Sequence, residues 1–179
     1  ISKGMNVTEL LIQEYKSIGG SLVVSQANGE IESIYDYGNG YNVWLKDVGK
    51  NSSLFEDKDL VRCQYWDRAK NELVYYWTPV SVGADLQGRY VLTIYKKDMK
   101  GVVPQVGDKL VQMGNTTDTS RQGCIVITTE NSLPRITMYN GINEPTIKDE
   151  NYKSIYGSLD GFIDPYTGKK LSGYGMWGE

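Results

Sequence analysis

Carboxylates have the most chemistry to offer in this sequence, because a glycosidase needs only one acid and a second carboxylate held several ångströms away. Glu30, Glu32, Asp36, Asp47, Asp59, Asp85, Asp108 and Asp118 supply the residue types. Most of them sit in or beside turn sequences, where an Asp side chain bonds its own backbone, and no pair is singled out. The densest polar stretch, residues 115–122 (Asn-Thr-Thr-Asp-Thr-Ser-Arg-Gln), holds cation-binding types. It lacks the turn glycine and the closing bidentate acid of a calcium loop. It reads as a self-bonded loop structured by Asp118 and Arg121 through charge-assisted bonds, and no metal site is nominated.

Nucleophiles fare no better. Cys63 and Cys124 need a base to lower their pKa, and the chain contains no histidine. The same lack removes a serine triad and the commonest zinc ligand. Gly19-Gly20 precedes a strand sequence rather than a helix, so no phosphate loop is present. Two thiols beside apolar neighbours are expected as reduced, buried packing residues. No catalytic residue and no cofactor is expected.

Aromatic rings are the remaining signal: 14 tyrosines and four tryptophans against two phenylalanines. Such rings combine a flat apolar face with a polar handle and suit surfaces that meet sugars or proteins. They concentrate at Tyr35, Tyr37, Tyr41 and Trp44, and again at Tyr65, Trp66, Tyr75, Tyr76 and Trp77. Alternate residues of a strand point inward, so part of each set must fill a core. Tyr41, Trp44, Trp66, Tyr76 and Trp77 are the candidate surface-binding aromatics. Single-stranded nucleic acid also stacks on such rings but needs a positive groove. The net charge is -3, and Lys96-Lys97 or Lys169-Lys170 makes no groove, so nucleic acid is not an expected partner.

The elements that must position these residues read mostly as strands. Val7, Leu10, Leu11, Tyr15 and Ile18 form an apolar stripe at helical spacing, with Asn6 or Thr8 as N-cap and Gly19-Gly20 as a stop, which predicts one helix over residues 6–18. After it the period changes to two. Strands are predicted at residues 21–25, 30–37, 41–46, 59–66, 72–81, 89–95, 108–113, 123–129 and 135–139, separated by Asn, Gly and Asp turns such as Gly38-Asn39-Gly40. The expected fold is mainly β: an antiparallel barrel or sandwich, with the helix over one end. Residues 1–19 would be the helix segment, 20–140 the β core and 141–179 an irregular glycine-broken segment with one or two short strands. Residues 58–64 and 107–114 echo one another, each placing an acidic turn before a Leu-Val strand.

With 40% hydrophobic and 23% charged residues the composition is that of a globular chain, and no apolar run approaches the roughly 20 residues of a membrane helix. The opening residues show no signal-peptide pattern. The aromatic, glycine-rich close leads to the expectation that the sequence belongs to a longer polypeptide.

Taken in order, several words carry a family resemblance. They are residues 18–25 (Ile-Gly-Gly-Ser-Leu-Val-Val-Ser), 27–32 (Ala-Asn-Gly-Glu-Ile-Glu), 60–64 (Leu-Val-Arg-Cys-Gln), 75–77 (Tyr-Tyr-Trp), 106–115 (Val-Gly-Asp-Lys-Leu-Val-Gln-Met-Gly-Asn) and 118–122 (Asp-Thr-Ser-Arg-Gln). The chain resembles, from about Val7 to Trp177, a module of tail-tip and tail-fibre structural proteins from phages and prophages of Bacteroides-like gut bacteria. The family pattern more often has Gly-Asp before the first Leu-Val word, where this chain has Lys58-Asp59. The resemblance implies a virion component, made in the bacterial cytoplasm before assembly. It would assemble as a homo-oligomer, a trimer as in many fibres, beside other tail proteins. It would contribute to host attachment, a host surface glycan being one partner, without catalysis or membrane insertion. A stand-alone carbohydrate-binding module with Trp44, Trp66 or Trp77 as sugar platform is the alternative, and a glycoside hydrolase a third reading.

Overall fold

The period-two runs fold as strands because β-branched and aromatic residues fit a pleated, half-buried surface. The computed structural model describes residues 21–47 and 54–179, together with the backbone of 15–18. Fourteen strands are described: β1 (Tyr15–Ile18), β2 (Ser21–Val24), β3 (Asn28–Asp36), β4 (Gly40–Leu45), β5 (Asp59–Asp67), β6 (Glu72–Pro79), β7 (Ser81–Ala84), β8 (Tyr90–Tyr95), β9 (Lys100–Gly101), β10 (Lys109–Asn115), β11 (Cys124–Thr128), β12 (Arg135–Tyr139), β13 (Tyr152–Ser158) and β14 (Tyr174–Gly178). They form a six-stranded sheet, β1-β2-β11-β12-β13-β14, and an eight-stranded sheet, β7-β8-β4-β3-β10-β5-β6-β9. Every described pairing is antiparallel. The arrangement is sandwich-like, with no closed barrel.

The eight-stranded sheet doubles back on itself at β3. Asn28 to Glu30 pair with β10, whereas Ile31 onward pairs with β4 across a register shift between Ile31 and Ser33. A bulge of this kind bends and twists a strand. Ile31, Tyr41, Val43, Leu92 and Ile94 then meet Val61, Cys63, Tyr76 and Leu110 in one core. A second core lies on the other side of the same strands, where Leu60, Trp77, Val111 and Met113 meet Val23 and Cys124 of the six-stranded sheet. The middle layer, β10-β5-β6, is therefore covered on both faces, which is why β5 and β10 read as nearly unbroken buried runs.

Pro79 ends β6 opposite Leu60, and the buried Val80 turns the chain across to the opposite layer, where β7 pairs with β8. The single predicted strand 72–81 thus becomes two, because Pro cannot continue the ladder. Gly114 sits at the β10 bulge, where an added Cβ would lie 2.4 Å from the Ile142 carbonyl oxygen that accepts the Asn115 N–H.

One expectation changes. The predicted helix over 6–18 lies outside the described residues up to position 14, and its last four residues are strand β1, with Ile18 opposite Ser21. Two glycines between strand sequences are a hairpin signal as well as a helix stop. In the C-terminal segment two strands, β13 and β14, continue the six-stranded sheet. The connection between them is held by Asp160 and Asp164, which accept bonds from the N–H groups of Gly173 and Tyr166.

The two echoed words adopt one turn. Lys58 (φ 68°) and Gly107 (φ 88°) are both left-handed, and the following carboxylates, Asp59 and Asp108, each accept the N–H three residues back, from Glu56 and Gln105, at 2.8 Å. The turn type does not differ despite the lysine. Lys58→Gly should raise the unfolding free energy by about 0.5–1 kcal/mol in urea denaturation, because it removes a strained left-handed side chain. Gly107→Ala should lower it by about 1 kcal/mol, since the Cβ would meet open space and only the backbone angle objects.

Candidate functional site

Most of the acidic candidates are held by a partner of their own. Asp36 binds Lys96 and the Gly38 N–H, which hold its carboxyl below the usual range. Asp85 takes Arg89 and the Trp44 indole N–H, Asp118 takes the Ser120 N–H and hydroxyl, and Glu30 takes Lys46. Asp108 accepts the Tyr76 hydroxyl at 2.9 Å, and burial raises its carboxyl. Glu32 is exposed on β3, and Asp47 lines a depression beside Trp44. Among the described residues no group of three metal-ligating side chains comes together, and no helix is long and apolar enough to cross a membrane.

Arg121 does not pair with Asp118, the nearest acid in sequence. It reaches Asp59, 62 positions away, with Nε at 2.9 Å from Oδ1 and Nη2 at 2.7 Å from Oδ2. Asp59 is fully buried and also accepts the Glu56 N–H and the Asn115 amide, so both its oxygens are doubly satisfied. The remaining arginine nitrogen, Nη1, binds Gln26 at 2.9 Å. Asn115 accepts the N–H groups of Thr117 and Asp118 on its own side-chain oxygen. The polar stretch 115–122 thus closes the end of the β5–β10 pair, its charge neutralised in place. What the sequence hid was the partner, since only the fold brings Asp59 there.

The thiols are packing groups. Burial pushes Cys63 and Cys124 each up to about 12. Cys63 shares its core with Tyr76, whose hydroxyl is likewise raised by burial.

Of the candidate surface aromatics, three are inside. Tyr76 is fully buried and Tyr41 lies in the same core, while Trp77 is buried in the second core. The middle layer has no solvent side over most of its length, so both alternating faces of Tyr75-Tyr76-Trp77 are drawn toward packing. Tyr41 shares the inner face of β4 with Val43. Trp44, on the other face of β4, is half-buried, with its N–H on Asp85 and the Arg89 guanidinium 5.9 Å from its ring. Trp66 is 55% exposed at the end of β5.

Trp66 belongs to a larger constellation that no motif announced. Register places Arg62 opposite Trp77, Gln64 opposite Tyr75 and Trp66 opposite Leu73, so all six share the face of the β5–β6 hairpin turned toward the six-stranded sheet. The hairpin outruns that sheet. Trp66, Leu73 and Tyr75 are left exposed as a platform, and Arg62, Gln64 and Trp77 line a cleft of about 190 Å³. Its opposite wall carries Ser21, Thr128, Glu130, Arg135 and Tyr139. Glu130 accepts Ser21 at 3.0 Å and the Gln64 amide, and thereby ties the two sheets together across the cleft. Arg62 stacks over Tyr75 at 4.3 Å and Trp77 at 5.1 Å and gives one hydrogen bond, to Gln64 at 2.9 Å.

A second feature lies on the outer face of the six-stranded sheet. Leu22, Ile127, Ile136, Tyr156 and Met176 are successive cross-strand partners and form one apolar row over five strands. A parallel row runs Val24, Ile125 and Met138. Met176 is 78% exposed and Tyr156 61%.

Arg121→Met should cost about 3–5 kcal/mol in chemical denaturation, because it leaves the Asp59 carboxylate buried without its counter-ion. Stability should also fall at alkaline pH. The buried thiols have folded pKa values near 12 against 9.0 unfolded, so the protonated forms stabilise fully below pH 9.0, and that contribution is lost as pH rises toward 12. Buried Tyr76 and half-buried Tyr90 and Tyr139, all raised, act in the same direction. Urea midpoints that decline steadily above pH 9.0 would agree, and a flat profile would not. Comparison with protein-family models, curated proteins and solved structures finds no match to this chain.

Proposed function

We propose that the chain is a non-enzymatic assembly and host-surface-recognition module, of the kind its resemblance to phage and prophage tail-tip and tail-fibre proteins implies. The observation that carries the assembly half is the apolar row Leu22, Ile127, Ile136, Tyr156 and Met176. Antiparallel sheets that face water on one side normally carry polar residues there. With strands about 4.8 Å apart, a row over five strands is about 19 Å wide. That is broad and flat, suited to another protein surface rather than to a small molecule, and among the described residues nothing covers it. The partner we assign is a second copy of this chain in a homo-oligomer, with other tail proteins beyond it. Self-association through this face removes from water the large hydrophobic side chains that a monomer leaves exposed.

The absence of histidine, the raised thiols and the partnered carboxylates support a scaffold rather than a catalyst. The alternative, a stand-alone carbohydrate-binding module, has its own support in exposed Trp66 beside the cleft. Light scattering on the purified chain should give a multiple of the monomer mass, three chains being the expected state. Tyr156→Lys with Met176→Lys, both at exposed positions, should return it to one chain with an unchanged circular dichroism spectrum. A single-chain mass for the natural protein at every concentration would overturn the assembly reading.

A further inference from the structure

We propose that the cleft between the two sheets binds a carboxylate-bearing sugar, with Arg62 taking the carboxylate, Gln64 and Glu130 reading hydroxyls, and the Trp66–Tyr75 platform carrying the adjoining ring. The inference deepens the recognition half of the reading above, on which it rests, by naming the site and the ligand class.

Arg62 is the first observation. Arg62 and Arg121 are treated differently. Arg121 is closed by a bidentate carboxylate and a glutamine, while Arg62, among the described residues, gives a single hydrogen bond and has no carboxylate within ion-pair distance. A guanidinium carries five N–H donors around its edge, and stacking on Tyr75 and Trp77 covers its faces, not that edge. A half-buried cation with unspent edge donors is an anion site, and the planar fork suits a carboxylate.

Trp77 is the second. It lines the cleft, is 4% exposed, and its indole N–H has no hydrogen-bond partner among the described residues. Buried donors are almost always paired, so an unpaired one beside a cavity marks a place where an acceptor belongs.

The remaining walls decide what kind of anion. Arg62 and Arg135 bring two positive charges and Glu130 one negative, which leaves one net positive charge and matches a monoanion better than a phosphate dianion. Glu130, Gln64, Ser21 and Thr128 offer acceptors and donors in the mixture that hydroxyl groups use. A volume of about 190 Å³ is below the roughly 300–1,000 Å³ of drug-sized pockets and fits one sugar residue, with the next lying over Trp66, Leu73 and Tyr75.

Calorimetric titration of the full chain with glucuronate, galacturonate and N-acetylneuraminate, against glucose, acetate and inorganic phosphate, tests this. At least one acidic sugar should bind about tenfold more tightly than glucose and than acetate, since either alone forfeits half of the contacts. Arg62→Met should abolish the preference over glucose, and Trp66→Ala, at an exposed position that cannot disturb the cores, should weaken the acidic sugar about tenfold. Binding of none of the three, binding that neither substitution changes, or phosphate binding as strong as any acidic sugar would each overturn the proposal. Mass and titration are separate readouts, so the site can fail while assembly stands, and the reverse.

Discussion

The β5–β10–β6 layer is buried on both faces, and this constraint shapes the rest of the molecule. A strand with no solvent side must satisfy its polar groups internally or lose several kcal/mol for each. Fully buried Leu60, Val61, Leu110 and Val111 each add about 1.5–3 kcal/mol of hydrophobic stabilisation. Asp59, at the entry of β5, lies in the same dry environment and would be intolerable as a bare charge. Arg121 resolves this by forked pairing, and the Asn115, Gln112 and Gln122 side chains complete the closure by binding backbone carbonyls around it. The pair is therefore a condition for burying the layer rather than an added source of stability, since an apolar replacement of both partners could pack as well.

The opposite end of the layer has a different solution. Asp108 enters β10 by the same turn as Asp59 but finds a tyrosine hydroxyl in place of an arginine; burial raises its carboxyl, and the bonds from the Gln105 N–H and the Tyr76 hydroxyl only partly offset that rise. One turn motif thus serves two electrostatic environments, the charged end sealed by an ion pair and the other by a neutral donor. The sheet that covers the layer stops short of the β5–β6 hairpin. There the layer's outward residues change from the core set Leu60, Trp77 and Val111 to Arg62, Gln64, Tyr75 and Trp66. The cleft is the place where double burial ends.

The same constraint separates what could be read in the sequence from what could not. All nine predicted strands are present, because alternation and turn residues are local signals that survive any tertiary arrangement. The direction each aromatic faces is not local. Alternation separates in from out only where one side is wet, and in the middle layer Tyr76 and Trp77 point oppositely and are both buried. The carboxylate for Arg121 was illegible for a related reason, since sequence proximity favours Asp118 while the β5–β10 pairing delivers Asp59. In the C-terminal segment the periodicity was broken by residues that are themselves structural. Gly157, at φ 122°, lies inside β13 against the Pro134 carbonyl, where a side chain would clash. The bounds of β13 were therefore blurred by the glycine that lets it form.

The two proposed contact regions differ in what they can recognise, and the difference follows from their layers. The outer sheet face is one-sided: its inner side already packs on the second core, and Ile155 and Trp177 point inward while their neighbours Tyr156 and Met176 point out. Such a face offers area with few donors, which gives adhesion to a like surface but little chemical discrimination. The cleft offers little area but a cation stacked on two rings, an anion and, in its wall, an indole N–H unpaired among the described residues. Discrimination comes from leaving such groups unpaired when the wrong ligand is bound. A module that must both assemble and choose a surface needs the two properties on separate faces, because a donor-rich patch inside an assembly interface would have to be satisfied by the copy itself. The three-layer arrangement separates them: the proposed assembly face is on the far side of the outer sheet, and the cleft is at its rim, where the middle layer emerges.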